Sequence, residues 1–577
     1  MVQDVYDPLA EYSRVFRDRF KEIAKRTFAE LAAEAKVDVE ANRETCWKIF
    51  NTRNSLAGVR SRIKRWTCWC VVLWIAVAVG IILMLVKQAE WSDYLIWMGA
   101  GVVTALLFLF TQVHPRLKSL KEGRKDLSET LHGLYIQGWT QMDPLNSLFD
   151  WDVLTRMMTE TVPRLEFDPY FTTQRLADLQ HTYGWDGSFN EERSVIYSHS
   201  GLINGNPFVI CRTRKMEMGS HTYYGSKTIH WTTSERDTDG RYHRVEHSET
   251  LTASVTAPFP EYHEKTRVIY GNTAAPDLIF HRRQNGLAGK EGSLSYKWNQ
   301  HVLKKKARNL SNADFAMMTN EEFEVAFNTS NRNNNQQFAL LFTPLAQESM
   351  MKLLRDKEVG YGDDFDFDKY KMINTIEPGH MQDLNLDMNP NHYCSYGYDL
   401  AQLDFYNKNA EYFKAIYFSL APLLCVPMYQ QIRSREAIYG RDMQQHSTFW
   451  EHEALANFWG KEHFMHPNCV TDCILKTEQL SSREGMQTIR VNAYGYEAVR
   501  RISYVSKYGG DGRWHDVPVE WDEYLPVTGS GEIYLQEDND FKEGSLTQSE
   551  RVNHTKEVLS ATNLKVYRRH IASKCSR

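Results

Sequence analysis

The chain has 577 residues, 12% of them aromatic and 42% hydrophobic, with a net charge of -5 and a mean hydropathy of -0.52. That length holds several domains, and that apolar content builds real cores, which excludes a disordered scaffold. The mild acidity gives no general case for a nucleic-acid partner, and nine scattered cysteines suit reduced thiols in a cytosolic compartment better than a disulfide framework.

Residues 1–20 are studded with Asp, Glu, Arg and Lys and lack the apolar h-region of a signal peptide. Over residues 8–50, Leu9, Tyr12, Phe16, Phe20, Ile23, Phe28 and Leu31 recur mostly at three- and four-residue steps, which predicts an amphipathic helix. Its stripe would face protein or, alternatively, a membrane surface. Two uncharged runs follow. Trp66 to Val86 is 21 residues long, and Tyr94 to Val113 comes after a seven-residue polar gap. Each is long enough to cross a hydrocarbon core of about 30 Å at ~1.5 Å per residue. Trp66, Trp69, Trp91, Tyr94 and Trp97 sit near their ends, where amphipathic rings favour the headgroup level. The expectation is a transmembrane hairpin in the lipid bilayer of the cell membrane.

Orientation follows from the flanks. Arg53, Arg60, Arg62, Lys64 and Arg65 precede the first run, and Arg116, Lys118, Lys121, Arg124 and Lys125 follow the second. Lys and Arg resist translocation, so both termini and the bulk of the chain are expected in the cytoplasm. Leu117, Leu120, Leu127, Leu131 and Leu134 then repeat at heptad-like spacing and predict a juxtamembrane helical stalk.

From Ser194 the texture turns β-like. SVIYSHSGLING, NPFVICRTRKM, SKTIHWTT and TRVIYGN are apolar or alternating runs between Gly, Asn and Pro breaks, and the polar stretch 232–250 reads as an exposed loop or hairpin end. FEVAF, from Phe323, and FALLF, from Phe338, read as two strands about a polar turn. Thr343 and Pro344 then predict a helix start. The segment 412–429 has too short an apolar core for a third span, and Lys414, Pro422 and Pro427 argue for a buried or interfacial segment. Late in the chain, GGDG between two alternating runs predicts a hairpin. The whole reads as α+β: cytoplasmic amphipathic helices at 1–65, the transmembrane hairpin at 66–113, the helical stalk at 114–162, and two mixed antiparallel-sheet domains at 163–375 and 376–577.

The order of these elements, with FDPYFTTQRLADLQHT, GLINGNPFVICRT and FEVAFNTS…QQFALLFTPLAQESMMKLL, resembles a bacterial two-span membrane family of unknown function whose genes often lie near those of LemA membrane proteins. The resemblance covers roughly residues 1–375. It implies a membrane-anchored α+β protein and supplies no catalytic residues. The polar insert near 220–250 departs from the family's pattern.

The densest chemical constellation is His446, His452, Glu453, His463, His466, Cys469 and Cys473. Within it His463, His466, Cys469 and Cys473 have the short spacings that zinc sites use, although H-x2-H-x2-C-x3-C is not a standard zinc pattern, and H-E-x-x-H is missing because Ala456 stands where the second histidine would be. The plainer reading is a helix with histidines on its wet face and two cysteines buried as small hydrophobes. GGDG lacks the lysine of a phosphate loop, and DDFDFDK at 363–369 lacks calcium-hand spacing. The sequence therefore points to a membrane-anchored interaction or scaffold protein with a protein partner or a second copy of itself. The alternative is a membrane-anchored, metal-dependent enzyme with its site at 446–473.

Overall fold

The computed structural model describes residues 6–86, 92–187, 192–236, 241–308, 315–431, 446–483, 485–539 and 546–576. Residues 24–150 and 390–408 form one compact unit, and residues 1–23, 151–389 and 409–577 form the other.

The smaller unit is helical. The helix Val39–Val86 continues unbroken from a polar half into the first apolar run, and Ser92–Phe108 leads through a π-helical turn at Leu109–Val113 into His114–Asn146. Trp74 meets Phe110, the Arg116 guanidinium lies 5.3 Å from the Trp66 ring, and Gly80 sits so close to Val102 that a Cβ there would come within 2.8 Å of it. These pairs match residues in reverse order, so the helices run antiparallel. Leu117 is buried and Leu120, Leu127, Leu131 and Leu134 are half-buried. Asn42 donates to Gln141 and to the Tyr396 carbonyl, joining the first long helix, the second and the segment 390–408. By contrast, the apolar runs expose Trp69, Ile75, Ile82, Trp97, Leu107 and Phe110, and both helices are long and apolar enough to cross a membrane.

The larger unit carries two antiparallel sheets. The first has the order β1-β2-β3-β4-β7-β6-β5, from β1 Leu165–Phe167, β2 Arg193–Ile203, β3 Asn206–Arg236, β4 Tyr242–Gly271, β5 Ile279–Arg282, β6 Phe365–Tyr370 and β7 Ile373–Pro378. β7 completes this sheet and runs across the boundary expected at 375. The second has the order β11-β12-β10-β9-β8, from β8 Ile474–Arg483, β9 Met486–Tyr508, β10 Trp514–Glu537, β11 Val566–Arg568 and β12 Ile571–Cys575. The hairpin expected at GGDG joins β9 to β10.

The N-terminal apolar stripe is covered by protein. Tyr12 packs on Phe413, Tyr417 and Phe418, and Phe20 stacks on Phe413 at 4.2 Å. The same contacts explain the segment 412–429. Its residues up to Leu424 belong to the helix Tyr398–Leu424, and a 3-10 turn at Pro427–Gln430 follows. The segment is core: Phe413, Ile416, Tyr417, Leu420 and Tyr429 are all buried.

One expectation is corrected. FEVAF and FALLF are helices, Glu321–Phe327 and Asn335–Leu341, not strands. Asn320 and Asn334 cap them, each side chain accepting an amide two or three residues into the helix. Phe323 and Phe327 stack at 5.0 Å, Phe338 and Phe342 lie 4.7 Å apart, and Phe327 meets Phe342 at 4.8 Å. An i, i+4 phenylalanine pair shares one helical face, whereas a strand would leave the same pair extended and unable to close this knot. The start at Thr343 and Pro344 is as expected: the Thr343 hydroxyl accepts the Ala346 amide.

Candidate functional site

Two features stand out in the larger unit, a polar network around one helix and a pair of long ribbons. The helix is Phe449–Trp459, FWEHEALANFW. Trp450 and Ala454 belong to the core under the first sheet, with Val195, Val209 and Ile269. Leu455 and Ala456 belong to the core under the second, with Leu475, Ile489 and Val491. A helix apolar on both sides must bury whatever polar residues it carries. Glu451, His452 and Glu453 are accordingly 2%, 5% and 1% exposed. The expectation that His452 lies on a wet face is therefore corrected.

Each buried carboxylate is met by donors. Glu451 Oε1 accepts from the Phe171 amide at 2.9 Å, from the Ser198 hydroxyl at 3.1 Å and from Arg569 at 3.2 Å. Glu453 takes the Val195 amide at 3.0 Å and lies 2.6 Å from Lys476 Nζ. Asn457 adds hydrogen bonds to Ser194 and the Val195 carbonyl, and Trp459 Nε1 donates to Ser573 of β12. The helix is thus tied to β2 on one side and to β8 and the β11–β12 hairpin on the other. Arg569 and His570 form the two-residue turn of that hairpin, with φ of 46° and 60°. Left-handed backbone at two consecutive non-glycine residues costs on the order of 1–2 kcal/mol each. In return the turn drives Arg569 into the core and brings His570 within 3.2 Å of Asp152.

A second node is Glu537. It accepts from the amide and hydroxyl of Ser447 and from Gln487, and it lies 3.0 Å from His446 Nδ1. Ser447 Oγ is also 3.0 Å from His452 Nε2. A serine between a histidine and a carboxylate invites comparison with acyl-transfer sites. There, however, the histidine takes the serine proton. Here the proton goes to Glu537, so His452 donates to Ser447. The group is a closed hydrogen-bond chain.

Burial pushes the pKa of His452 down to about 4, against the pull of Glu537 and Glu451. A pH dependence follows. The unfolded chain takes up a proton near pH 6.5, and the folded chain refuses it until about pH 4. The stability carried by neutral His452 is complete above the higher value and is lost as pH falls towards the lower, by roughly 3 kcal/mol at ~1.36 kcal/mol per pH unit. In thermal-unfolding series at stepped pH, His452→Gln, which keeps a donor for Ser447, should flatten the profile across this window. An unchanged profile would refute the assignment.

The four residues with zinc-like spacing are only partly gathered. Cys469 and Cys473 are both buried in the second sheet's core, their sulfurs 3.6 Å apart. His463 is exposed at the end of the short 3-10 helix Lys461–His463, its ring edge-on to Trp459 at 6.0 Å. His466 Nδ1 accepts the amide of Asn468. Among the described residues, no group of three or more His, Cys, Asp and Glu side chains is placed to hold a metal ion.

The ribbons come from β3–β4 and β9–β10. β3 and β4 stay paired from Phe208–Tyr270 out to Arg236–Tyr242, but β2 and β7 cover only the near end. Roughly twenty pairs therefore project as a two-stranded ribbon, about 70 Å at ~3.3 Å per residue. Residues 232–236 and 242–250 form its far end, the described part of the polar insert near 220–250 lies within it, and residues 237–240 lie outside the described residues. β9 and β10 project likewise beyond β8 and β12. The two ribbons lie face to face. Ile229, Leu251 and Ala253 of one pack on Val517 and Val519 of the other, Lys227 donates to the Asp516 carbonyl, and Gly510 donates to Glu249. The outer face of the second ribbon exposes Ile502, Tyr504, Tyr508 and Trp514.

Sequence reasoning singled out His452, Glu453 and the cysteines and missed Glu451, Ser447, Glu537 and Arg569. The available signal was Glu-His-Glu inside an otherwise apolar helix, because buried carboxylates need cations supplied from elsewhere in the chain. The chain matches no family model, no curated protein and no solved structure.

Proposed function

We propose that this chain is a membrane-anchored interaction protein. The helix pair sits in the bilayer as a hairpin, both termini lie in the cytoplasm, and the paired ribbons present the contact surface to a protein partner or a second copy. The observation that carries the reading is the apolar belt on the helix pair, where Trp69, Ile75, Ile82, Trp97 and Phe110 are between 57% and 78% exposed. Water would penalise such a belt, and lipid would not. The basic flanks set the orientation. The exposed aromatics of the second ribbon have the composition of a contact surface. Membership of the two-span family is part of the same proposal and rests on element order and the F-E-x-x-F…L-L-x-T-P run. The metal-dependent alternative has less support, since only two of its four donors stand together.

The belt gives a direct test. Val77 is buried, and arginine there would also disturb packing, but Ile75 is 57% exposed. Ile75→Arg therefore changes what the bilayer meets and little else. Arginine at the centre of a span costs about 2.5–3.5 kcal/mol on the insertion scale. The variant should become extractable by alkaline carbonate while the wild type stays with the membrane. Reporters at the N-terminus, at Ala89 and at the C-terminus should read inside, outside, inside. Equal carbonate resistance of the two proteins, or a C-terminal reporter outside, would overturn the reading.

A further inference from the structure

The loop between the helix Phe449–Trp459 and β8 holds its two cysteines in an unusual way. It is pinned at both ends of the pair: the Val470 amide donates to the Tyr496 carbonyl, the Tyr496 amide donates to Thr471 Oγ1, and Lys461 Nζ reaches the Thr471 carbonyl and Asp472. The Tyr262 hydroxyl pairs with Thr471 as well. Held so, Cys469 and Cys473 turn their sulfurs towards each other over Gly495 of β9. A Cβ at Gly495 would stand 2.5 Å from one sulfur and 3.0 Å from the other, so the glycine leaves the space that both sulfurs fill. Cys469 is 6% exposed and Cys473 1%, which makes Cys469 the thiol that a solute meets first. The other nearby cysteine of this core, Cys575, hydrogen-bonds to the Ser576 carbonyl instead.

From this arrangement we infer that Cys469 and Cys473 form a reversible intrachain dithiol–disulfide pair, oxidised by hydrogen peroxide and reduced by a small dithiol. In the forward direction the Cys469 sulfur attacks one peroxide oxygen, the O–O bond breaks, and the departing oxygen leaves as water after taking a proton. Cys469 is then a sulfenic acid. The Cys473 sulfur attacks the Cys469 sulfur, the S–S bond forms, the S–O bond breaks, and a second water leaves with the Cys473 proton. Two thiols have lost two hydrogens and two electrons to the peroxide. In reverse, one thiolate of the dithiol opens the bond and its partner thiol closes the reductant's own disulfide. In a reducing cytoplasm such a bond is transient, which suits a redox-responsive site better than a structural staple. The pairing itself rests on the geometry of the two sulfurs alone, whereas its reversible, responsive character rests on the cytoplasmic placement proposed above.

The test uses the full chain in its membranes, exposed to hydrogen peroxide, then alkylated and mapped by mass spectrometry. The expected product is a peptide linking Cys469 to Cys473, lighter by two hydrogens, with alkylation lost at these two positions and restored by dithiothreitol. In Cys473→Ala the linked peptide disappears and Cys469 is trapped as a sulfenic acid by dimedone. Unchanged alkylation of both thiols would overturn the inference. So would bonding of either to another cysteine, or stoichiometric zinc that must be chelated before the thiols react.

Discussion

Arg569→Ala should lower the stability of the larger unit by about 3–5 kcal/mol, the usual penalty for removing one partner of a buried ion pair. Glu451 is 2% exposed, so its charge cannot be rescued by water. The Phe171 amide and the Ser198 hydroxyl remain as donors without charge, and the buried Arg568 remains as a cation acting on Glu451 through its field, which places the expected loss at the lower end of that range. The loss of charge must be separated from the loss of the turn. Arg569→Asn keeps a residue at home in left-handed backbone and removes only the guanidinium, so it should lose nearly as much as the alanine variant. Adding Glu451→Gln to Arg569→Ala removes the stranded charge while keeping an acceptor for the two neutral donors, and should recover part of the loss. Thermal unfolding of the full chain in detergent, followed by tryptophan fluorescence, reads all four proteins. A cost below about 1 kcal/mol for Arg569→Ala would place the pair with exposed surface bridges and remove its role in joining helix, β2 and the C-terminal hairpin.

What the sequence revealed, and what it hid, divides by range. Features encoded within a few residues were legible: the two long apolar runs, GGDG as the turn between β9 and β10, and Thr343–Pro344 as a helix start. FEVAF and FALLF misled because short apolar runs fit a strand and a helix equally well. The spacing of Phe323 to Phe327 and of Phe338 to Phe342, with Asn320 and Asn334 in capping positions, held the correct answer. The polar network was hidden for a different reason. Glu451 meets Arg569 more than a hundred residues away and Ser198 at a still greater distance along the chain, so no local spacing announces them. The converse holds for His463 and His466. Their closeness in sequence suggested a shared site with Cys469 and Cys473, but the 3-10 turn at Lys461–His463 leaves His463 against Trp459 instead.

Gly225→Val should part the two ribbons without unfolding the sheets from which they grow. A Cβ at Gly225 would fall 2.1 Å from the Pro518 carbonyl oxygen and 3.0 Å from the Val519 Cα. These are backbone atoms, and no rotamer change can clear them, so the ribbons must move apart. The contact that they would lose is the small core of Ile229, Leu251, Ala253, Val517 and Val519. Fully burying an aliphatic side chain of this kind is worth about 1.5–3 kcal/mol, and an isolated two-stranded ribbon is at best marginally stable in water. Each ribbon therefore depends on the other, and parting them should let both fray from the tip inward. The sheets have separate support, the first from Val195, Val209, Ile269 and Trp450, the second from Leu475, Ile489, Val491 and Leu535. Amide exchange should accelerate strongly over 216–236, 242–262 and 498–525, and stay slow in β2, β7, β8 and β12. Proteases should cut the ribbons first and leave the remainder intact. If the ribbons carry the contact surface, complexes trapped by cross-linking in wild-type membranes should be lost in the same variant, while carbonate resistance is unchanged. Slow exchange throughout both ribbons in Gly225→Val would mean that they stand without each other, and the face-to-face packing would then not be what orders the surface.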